Sequence, residues 1–410
     1  GLGERPALWI PASSIPAARL QAALGAAMVS DARSLVTSPV VLAMRPELKD
    51  ALGQLNWAGL PELQTNPAAL DGKNLPGWGS LRLALPASGD ADAGYLAAEA
   101  VAVNSAPPGA PATAGLPAAT ALLAGQPQLA DDTAETAWQA LFGAADAAGA
   151  PVHAVVMTEQ QLYQRTSDLP DSMDTVATWT STGPAAIADY PTVLLAGDWL
   201  AEEQVTAASE FARFMTKPEQ LAALAEAGFR ADGATPEGNG VVVFGPIAQP
   251  LAPGDDLVRA TVAGAVAPGA VAATTVMLNQ AAGPGAVAAV RDRVASLPPG
   301  ASVGLWTFDG AAGATAVPFG ALFDQLDEQS RQSALADSLG GVAPGADGAV
   351  SFTTLRLVYG DALANFRPGQ PNSVLVITSG PHTDQSPDGA GIQDSLTPAH
   401  APNRPVAVNH

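Results

Sequence analysis

Four short polar clusters stand where apolar runs give way to loops or helix-prone sequence: Ser13-Ser14, Thr37-Ser38, Ser88-Gly89-Asp90 and Thr158-Glu159-Gln160. Such corners can hold a polar solute, because the first backbone N–H groups of a helix are unpaired and the helix dipole attracts negative charge there. The same residue types are also the preferred N-caps, each contributing about 1 kcal/mol to its own helix. Taken singly, each position reads as a cap; taken together, they outline a ligand cleft. Arg-poor loops argue against a strongly anionic ligand. Trp9, Trp179 and Tyr163 carry rings able to stack on a sugar-like or aromatic solute, although large aromatics more often fill cores.

Signatures of catalysis are thin. The sequence holds no P-loop and no His-Glu-x-x-His. Gly300-Ala301-Ser302-Val303-Gly304 has Gly-x-Ser-x-Gly spacing, but Ser302 opens an expected strand instead of a strand-to-helix turn. Glu202-Glu203 and Asp255-Asp256 sit at helix starts, where carboxylates oppose the macrodipole. His153 lies in an apolar strand and reads as a satisfied core residue. With no Cys and four His, disulfides, thiolate sites and His-rich metal sites are not expected. The chain reads as a non-enzyme with no cofactor.

The elements that must position these clusters follow from the apolar pattern. The 410 residues allow two or three domains. The net charge of −21 disfavours nucleic acid and anionic lipid surfaces. No apolar run reaches the ~20 residues of a spanning helix. The chain opens on Gly1-Leu2-Gly3 without a Met and reads as a piece of a longer protein, with any membrane anchor outside it.

Residues 8–248 alternate short apolar strands with Ala-rich helical stretches, the pattern of a parallel sheet with crossover helices. Strands are expected at 8–11, 35–44, 81–85, 152–157 and 192–195. Helices are expected at 17–27, 91–103, 130–148, 202–216 and 218–227, with 104–118 a surface loop. Residues 249–270 form the expected junction, with a short helix at 257–266. Residues 271–410 resume the rhythm with strands at 271–278, 302–308, 315–318 and 373–378 and helices at 285–296, 322–339 and 353–365, an order that fits a doubly wound sheet.

The segments Ala7-Leu8-Trp9-Ile10-Pro11-Ala12-Ser13-Ser14, Thr37-Ser38-Pro39-Val40-Val41-Leu42-Ala43-Met44 and Val155-Val156-Met157-Thr158-Glu159-Gln160 resemble the extracytoplasmic solute-binding proteins that serve ABC transporters. Phe211-Ala212-Arg213-Phe214-Met215 and Gly228-Phe229-Arg230 resemble the end of such a domain. Val276-Met277-Leu278 running into Asn279, and Val374-Leu375-Val376-Ile377 running into Thr378-Ser379-Gly380, resemble the two strand-to-loop corners of a von Willebrand factor A-type domain. Together the two resemble an actinobacterial fusion family.

The resemblance implies type II periplasmic-binding-protein-like lobes over 1–248, lacking a first strand-helix-strand unit, then a doubly wound A-type domain over 271–410 that stops before its last strand and helix. Ligands of the first fold sit between lobes, which places the four polar clusters at the cleft. The A-type site implies Mg²⁺ held by hydroxyls and carboxylates. Here Asn279, Ala281 and Gly283 stand in its first loop, Ala349 in its second and Ser379 in its third, so no Mg²⁺ is expected. A nonstandard site from Asp309, Asp347 and Asp384 is not expected either.

The implied function is a non-catalytic, extracytoplasmic binding or scaffolding protein of the cell envelope. Its partner would be a small solute or an envelope protein, the latter met through the face around Asn279, Ser379 and His382. The alternatives are a receptor delivering a small solute to an ABC-type transporter and an envelope enzyme of unrecognised site.

Overall fold

The computed structural model describes residues 5–88, 92–143, 145–169, 172–247, 249–266, 272–297, 301–309, 312–322, 324–327, 329–342, 352–367, 370–378 and 404–409. Gly89, Asp90, Ala349, Ser379, His382, Asp347 and Asp384 therefore lie outside the described residues. The chain divides into two units, Gly1–Pro268 and Gly269–His410.

The strands of the first unit are β1 (Leu8–Trp9), β2 (Val29–Ser34), β3 (Ser38–Met44), β4 (Leu83–Ala84), β5 (Ala154–Thr158), β6 (Ala177–Trp179), β7 (Ile187–Ala188) and β8 (Pro191–Leu195). Its helices are α1 (Ile15–Leu24), α2 (Pro46–Leu52), α3 (Leu60–Thr65), α4 (Asp92–Ser105), α5 (Leu116–Ala124), α6 (Ala134–Leu141), α7 (Glu159–Ser167), α8 (Ser172–Thr175), α9 (Glu202–Met215), α10 (Pro218–Glu226) and α11 (Asp256–Val266).

One sheet runs β4-β5-β3-β6, with β7 paired to the start of β3, and a smaller one runs β1-β8-β2. Strand β3 explains the main core. Val40, Leu42 and Met44 join Leu96, Val101 and Val262 on one face, while Val41 and Ala43 join Val155, Met157 and Val242 on the other. Successive side chains of a strand face opposite sides, so a strand covered on both sides must be apolar throughout.

That double burial misleads a reading of direction. Strand β3 is antiparallel to both β5 and β6, β8 is antiparallel to β1 and β2, and β4 with β5 is a parallel pair. The expected parallel sheet is thus largely antiparallel, because a run apolar on both faces reads the same either way. The stretch 104–118 is not a surface loop: Ala112, Thr113 and Gly115 are buried, and α5 begins at Leu116. At Gly115 the chain passes so near α4 that a Cβ would lie 1.9 Å from the Ala102 carbonyl oxygen. The helix expected over 130–148 shrinks to α6, whose N-cap Thr133 accepts from the Thr136 N–H at 3.1 Å. In the expected junction, α11 buries Val258, Val262, Ala263 and Val266 in the first unit's core beside α1 and α4.

The second unit contains β9 (Ala273–Asn279), α12 (Gly283–Ser296), β10 (Ser302–Phe308), β11 (Gly313–Ala321), the short hairpin β12 (Gln325–Leu326) and β13 (Gln329–Ser330), α13 (Arg331–Gly340), α14 (Phe352–Ala364), β14 (Asn372–Ile377) and β15 (Ala407–Asn409). Its sheet order is β11-β10-β9-β14-β15. Strand β9 is parallel to β10 on one side and to β14 on the other, so the winding reverses beside it. The antiparallel edge strand β11 extends well beyond the expected 315–318, and β15 is a further parallel strand that the apolar pattern does not mark. Ser302 lies inside this sheet as the first residue of β10.

Candidate functional site

Two adjoining cavities in the first unit share Ala185 and Ala186 in their walls. Each contains a guanidinium forked onto a carboxylate. The first, of about 250 Å³, is built around Glu159 and Arg230 with Trp57, Val40, Ser181 and Ile247. The second, of about 290 Å³, is built around Glu99 and Arg259 with Ser14, Thr37, Asp189 and Leu251.

The first cavity follows from how α7 starts. Thr158 accepts from the Gln161 N–H at 3.1 Å, and the Gln161 side chain accepts from the Thr158 N–H at 2.9 Å, closing a capping box. Glu159 becomes the first helical residue, where the dipole favours its charge. Arg230 donates to it through Nε at 2.6 Å and Nη2 at 2.9 Å, and through Nη1 to the Gly245 carbonyl at 2.8 Å. The guanidinium also lies 5.3 Å from the Phe244 ring centre. Its backbone is held by a reciprocal pair with Thr37, at 2.8 and 2.9 Å. Gly228 allows this approach: its φ is +91°, and a Cβ there would lie 2.5 Å from Tyr163.

The second cavity is assembled from α1, α4, α11 and the loop at Asp189. Arg259 donates to Glu99 through Nε at 2.9 Å and Nη2 at 3.3 Å, and through Nη1 to Ser14 Oγ at 2.6 Å. Asp189 accepts from both the N–H and the hydroxyl of Ser14, at 2.8 and 3.0 Å. Glu99 is 2% exposed in the middle of a helix, and burial pushes its carboxyl above the usual range against the opposing pull of Arg259. Nearby Asp189 pushes the same way as burial.

The expected cleft residues divide between these cavities and ordinary capping. Ser14 and Thr37 line the second cavity and Glu159 the first. Ser13 is buried, donating to Asp92 and accepting from the Ile15 N–H. Ser38 accepts from the Gln160 N–H at 2.9 Å, and the Gln160 amide donates to the Ala227 carbonyl, so both serve packing beside the first cavity. Ser88 pairs elsewhere, with Thr133. Trp179 is buried edge-on to Trp57, Tyr163 packs on Phe244, and Trp9 joins a small cluster with Val193.

Sequence reasoning missed Arg230 and Arg259 as site residues, along with Glu99 and Asp189. The available signal was a lone guanidinium inside an apolar run, Gly-Phe-Arg-Ala and Leu-Val-Arg-Ala, because a charge is rarely buried without a partner.

His153 is 1% exposed, and its pKa is pushed down to about 4 by burial and then by the Arg82 charge. Its Nδ1 accepts from the Arg82 backbone N–H at 3.2 Å, and the ring tilts against Trp78. The Arg82 guanidinium contacts both the His153 ring and the Ala148 carbonyl.

In the second unit the Asn279 side chain accepts from the Ala281 N–H at 2.9 Å, a local turn cap. Ala281 and Gly283 follow it into α12, with Gly283 at φ +83°. The Asp309 carboxylate accepts from the Ala312 N–H at 2.8 Å. Strands β9 and β14 are paired as far as Ile377 and Leu278, so their C-terminal ends are neighbours. Among the described residues no three His, Asp or Glu converge on one point.

A bacterial extracellular solute-binding protein model matches residues 2–230. The chain belongs to this family. The match contains Glu159, Arg230, Glu99 and Asp189 and ends before Arg259, so this solute-binding unit recruits α11 from beyond it. Two proteins from two strains of Mycobacterium tuberculosis, both described as uncharacterized, are 54% identical over the whole chain. The chain spans 62% of the length of these curated relatives. Among solved structures, a Bordetella ferric binding protein is 14% identical, covering 60% of this chain and 73% of its own, with a TM-score of 0.39. The sulfate-binding protein SubI of Mycobacterium tuberculosis is 17% identical, covering 60% and 76%, with a TM-score of 0.38. At TM-scores this low neither likeness adds to the assignment.

Proposed function

We propose that the chain is a non-catalytic, extracytoplasmic binding protein of the cell envelope whose first unit holds a small solute over Ala185 and Ala186. The observation that carries this reading is the pair of adjoining cavities inside the family-matched unit. Concave sites with a few convergent polar groups in a mostly apolar wall suit small-molecule binding. The test is native mass spectrometry of the chain purified from its host, beside an Ala185→Trp variant that fills both cavities. A retained small molecule in the parent, lost in the folded variant, is expected; a parent that retains none would sink the reading.

The second unit is proposed to be A-type-like and to meet an envelope protein without a bridging Mg²⁺. Its support is the doubly wound order, with the C-terminal ends of β9 and β14 adjacent and an amide at Asn279 where a carboxylate is needed. Calorimetric titration with MgCl₂ should show no saturable binding; a saturable site abolished by Asn279→Ala would overturn this part. No helix among the described residues is long and apolar enough to cross a membrane.

The competing proposal is a receptor that delivers its solute to an ABC-type transporter, supported by the same family match. Solute uptake that stops when the protein is depleted and returns with the parent chain would favour it.

A further inference from the structure

We infer that the cavity walled by Glu99, Asp189 and Arg259 takes a small organic cation, an amine with a short apolar body, against the surplus negative charge of Asp189. This rests on the reading of the first unit as a solute binder and specifies both its ligand class and the cavity that holds it.

Charge counting separates the two cavities. In the first, one guanidinium meets one carboxylate, Arg230 on Glu159, and the wall is neutral. In the second, one guanidinium meets two carboxylates, and Arg259 is already forked onto Glu99. Asp189 is the surplus. Its charge reaches both partners: after burial and against the pull of Arg259 it raises the carboxyl of Glu99, and against burial it joins Glu99 and Asp256 in raising the pKa of Arg259. Two carboxylates that repel each other around one guanidinium are relieved by a second cation.

The surplus charge is fixed and accessible. Beside the two bonds from Ser14 to Oδ1, the Asp189 carbonyl accepts from the Ser34 hydroxyl at 2.8 Å, and the next N–H, of Tyr190, donates to the Ala12 carbonyl at 3.1 Å. Among the described residues none donates to Oδ2, and this oxygen, on a half-buried residue, is not sealed from solvent. Thr37, half-buried on the same wall, has its backbone paired with Arg230 and its hydroxyl without a protein partner among the described residues. An ammonium group brings three donors and no acceptor, the complement of such oxygens. Leu96, Ile187, Leu251 and Pro253 make the rest of the wall apolar, which suits an alkyl body. At about 290 Å³ the cavity falls near the small end of ligand sites. The net charge of −21 draws cations toward the molecule.

The test uses the whole chain and three probe pools at neutral pH, read by ligand-observed NMR and calorimetry. The cationic pool contains butylamine, ethanolamine, putrescine and choline; the uncharged pool contains butanol, glycerol, glucose and acetamide; the anionic pool contains sulfate, phosphate, acetate and citrate. Binding from the cationic pool is expected, with butylamine held well above its uncharged counterpart butanol. Asp189→Asn keeps an Oδ1 acceptor for Ser14 but removes the charge, and should weaken amine binding about tenfold or more. Leu251→Lys supplies an arm that leaves Asp189 in place: it adds an ammonium to the cavity wall and should abolish amine binding. Butanol bound as tightly as butylamine, failure of every amine, or unchanged affinity in either folded variant would overturn the proposal. If the parent retains an uncharged or anionic host metabolite yet binds no amine, the solute-binding reading stands and this one falls; if nothing is retained and no pool binds, both fall.

Discussion

Glu159–Arg230 and Glu99–Arg259 are the same chemical object in different surroundings. Both are two-pronged forks, and each guanidinium has a third acceptor. Glu159 opens a helix, where free N–H groups and the dipole support its charge, and Arg230 packs beside Phe244. Glu99 sits mid-helix with no such support and with Asp189 close by, and its carboxyl is pushed up by burial. The partners are identical, so what separates the two ion pairs is their surroundings: burial and Asp189 at Glu99, and a helix N-terminus at Glu159. Arg82 is a third case: its neighbour is a neutral imidazole, and burial lowers its pKa.

The largest expected effect breaks the more buried pair. Arg259→Met should destabilise the first unit by about 3–5 kcal/mol in urea unfolding, because it strands Glu99 among apolar residues. Adding Glu99→Leu should recover much of that loss. If the single variant costs no more than Arg230→Met, the contrast between the two surroundings fails.

The next effect tests the imidazole. A histidine whose folded pKa is depressed contributes stability that is present above its unfolded value near 6.5 and lost as pH falls toward about 4. On the order of 3 kcal/mol should disappear across that window, and His153→Gln should flatten the dependence. Identical slopes in the two proteins would remove His153 as the cause.

Arg230→Met should cost less, about 1–3 kcal/mol, since Glu159 keeps its helix N-terminus. The pH dependence of the two pairs should differ as well. Glu99 has a raised folded pKa, so its contribution is fully present below the ordinary value of 4.5 and declines as pH rises through its folded value. Parent stability relative to Glu99→Gln should therefore fall with rising pH, and a rise would contradict burial as the dominant cause. The smallest effect is at the cap: Thr158→Ala should cost about 1 kcal/mol, measured by thermal unfolding. A loss well beyond that would show that the capping box does more than start α7 at Glu159.

Much of the architecture was legible because apolar patterning reports burial. Strands β3 and β10 and helices α9 and α10 fall within stretches marked by composition alone, and β5, β8, β9, β14, α4 and α12 overrun such stretches by one or two residues. Strand β2 was missed because only Val29 and Asp31 of its six residues are even partly shielded, which leaves no alternation to detect. Helix α7 was missed because its sequence, Glu-Gln-Gln-Leu-Tyr-Gln-Arg-Thr-Ser, is polar and draws its start from a capping box.

By itself the sequence determined that this chain is α/β, strongly acidic, free of cysteine and built on a few doubly buried strands, since these depend only on residue type and period. It also determined its family, through an ordered set of local segments. Only the tertiary structure decided that the main sheet is largely antiparallel and that α11 returns to the first unit's core. Only it brought Glu159 to Arg230, 71 positions apart, and Glu99 to Arg259, 160 apart. Local propensity acts over a few residues, whereas pairing across such separations is settled when the core closes and each buried charge must find its partner.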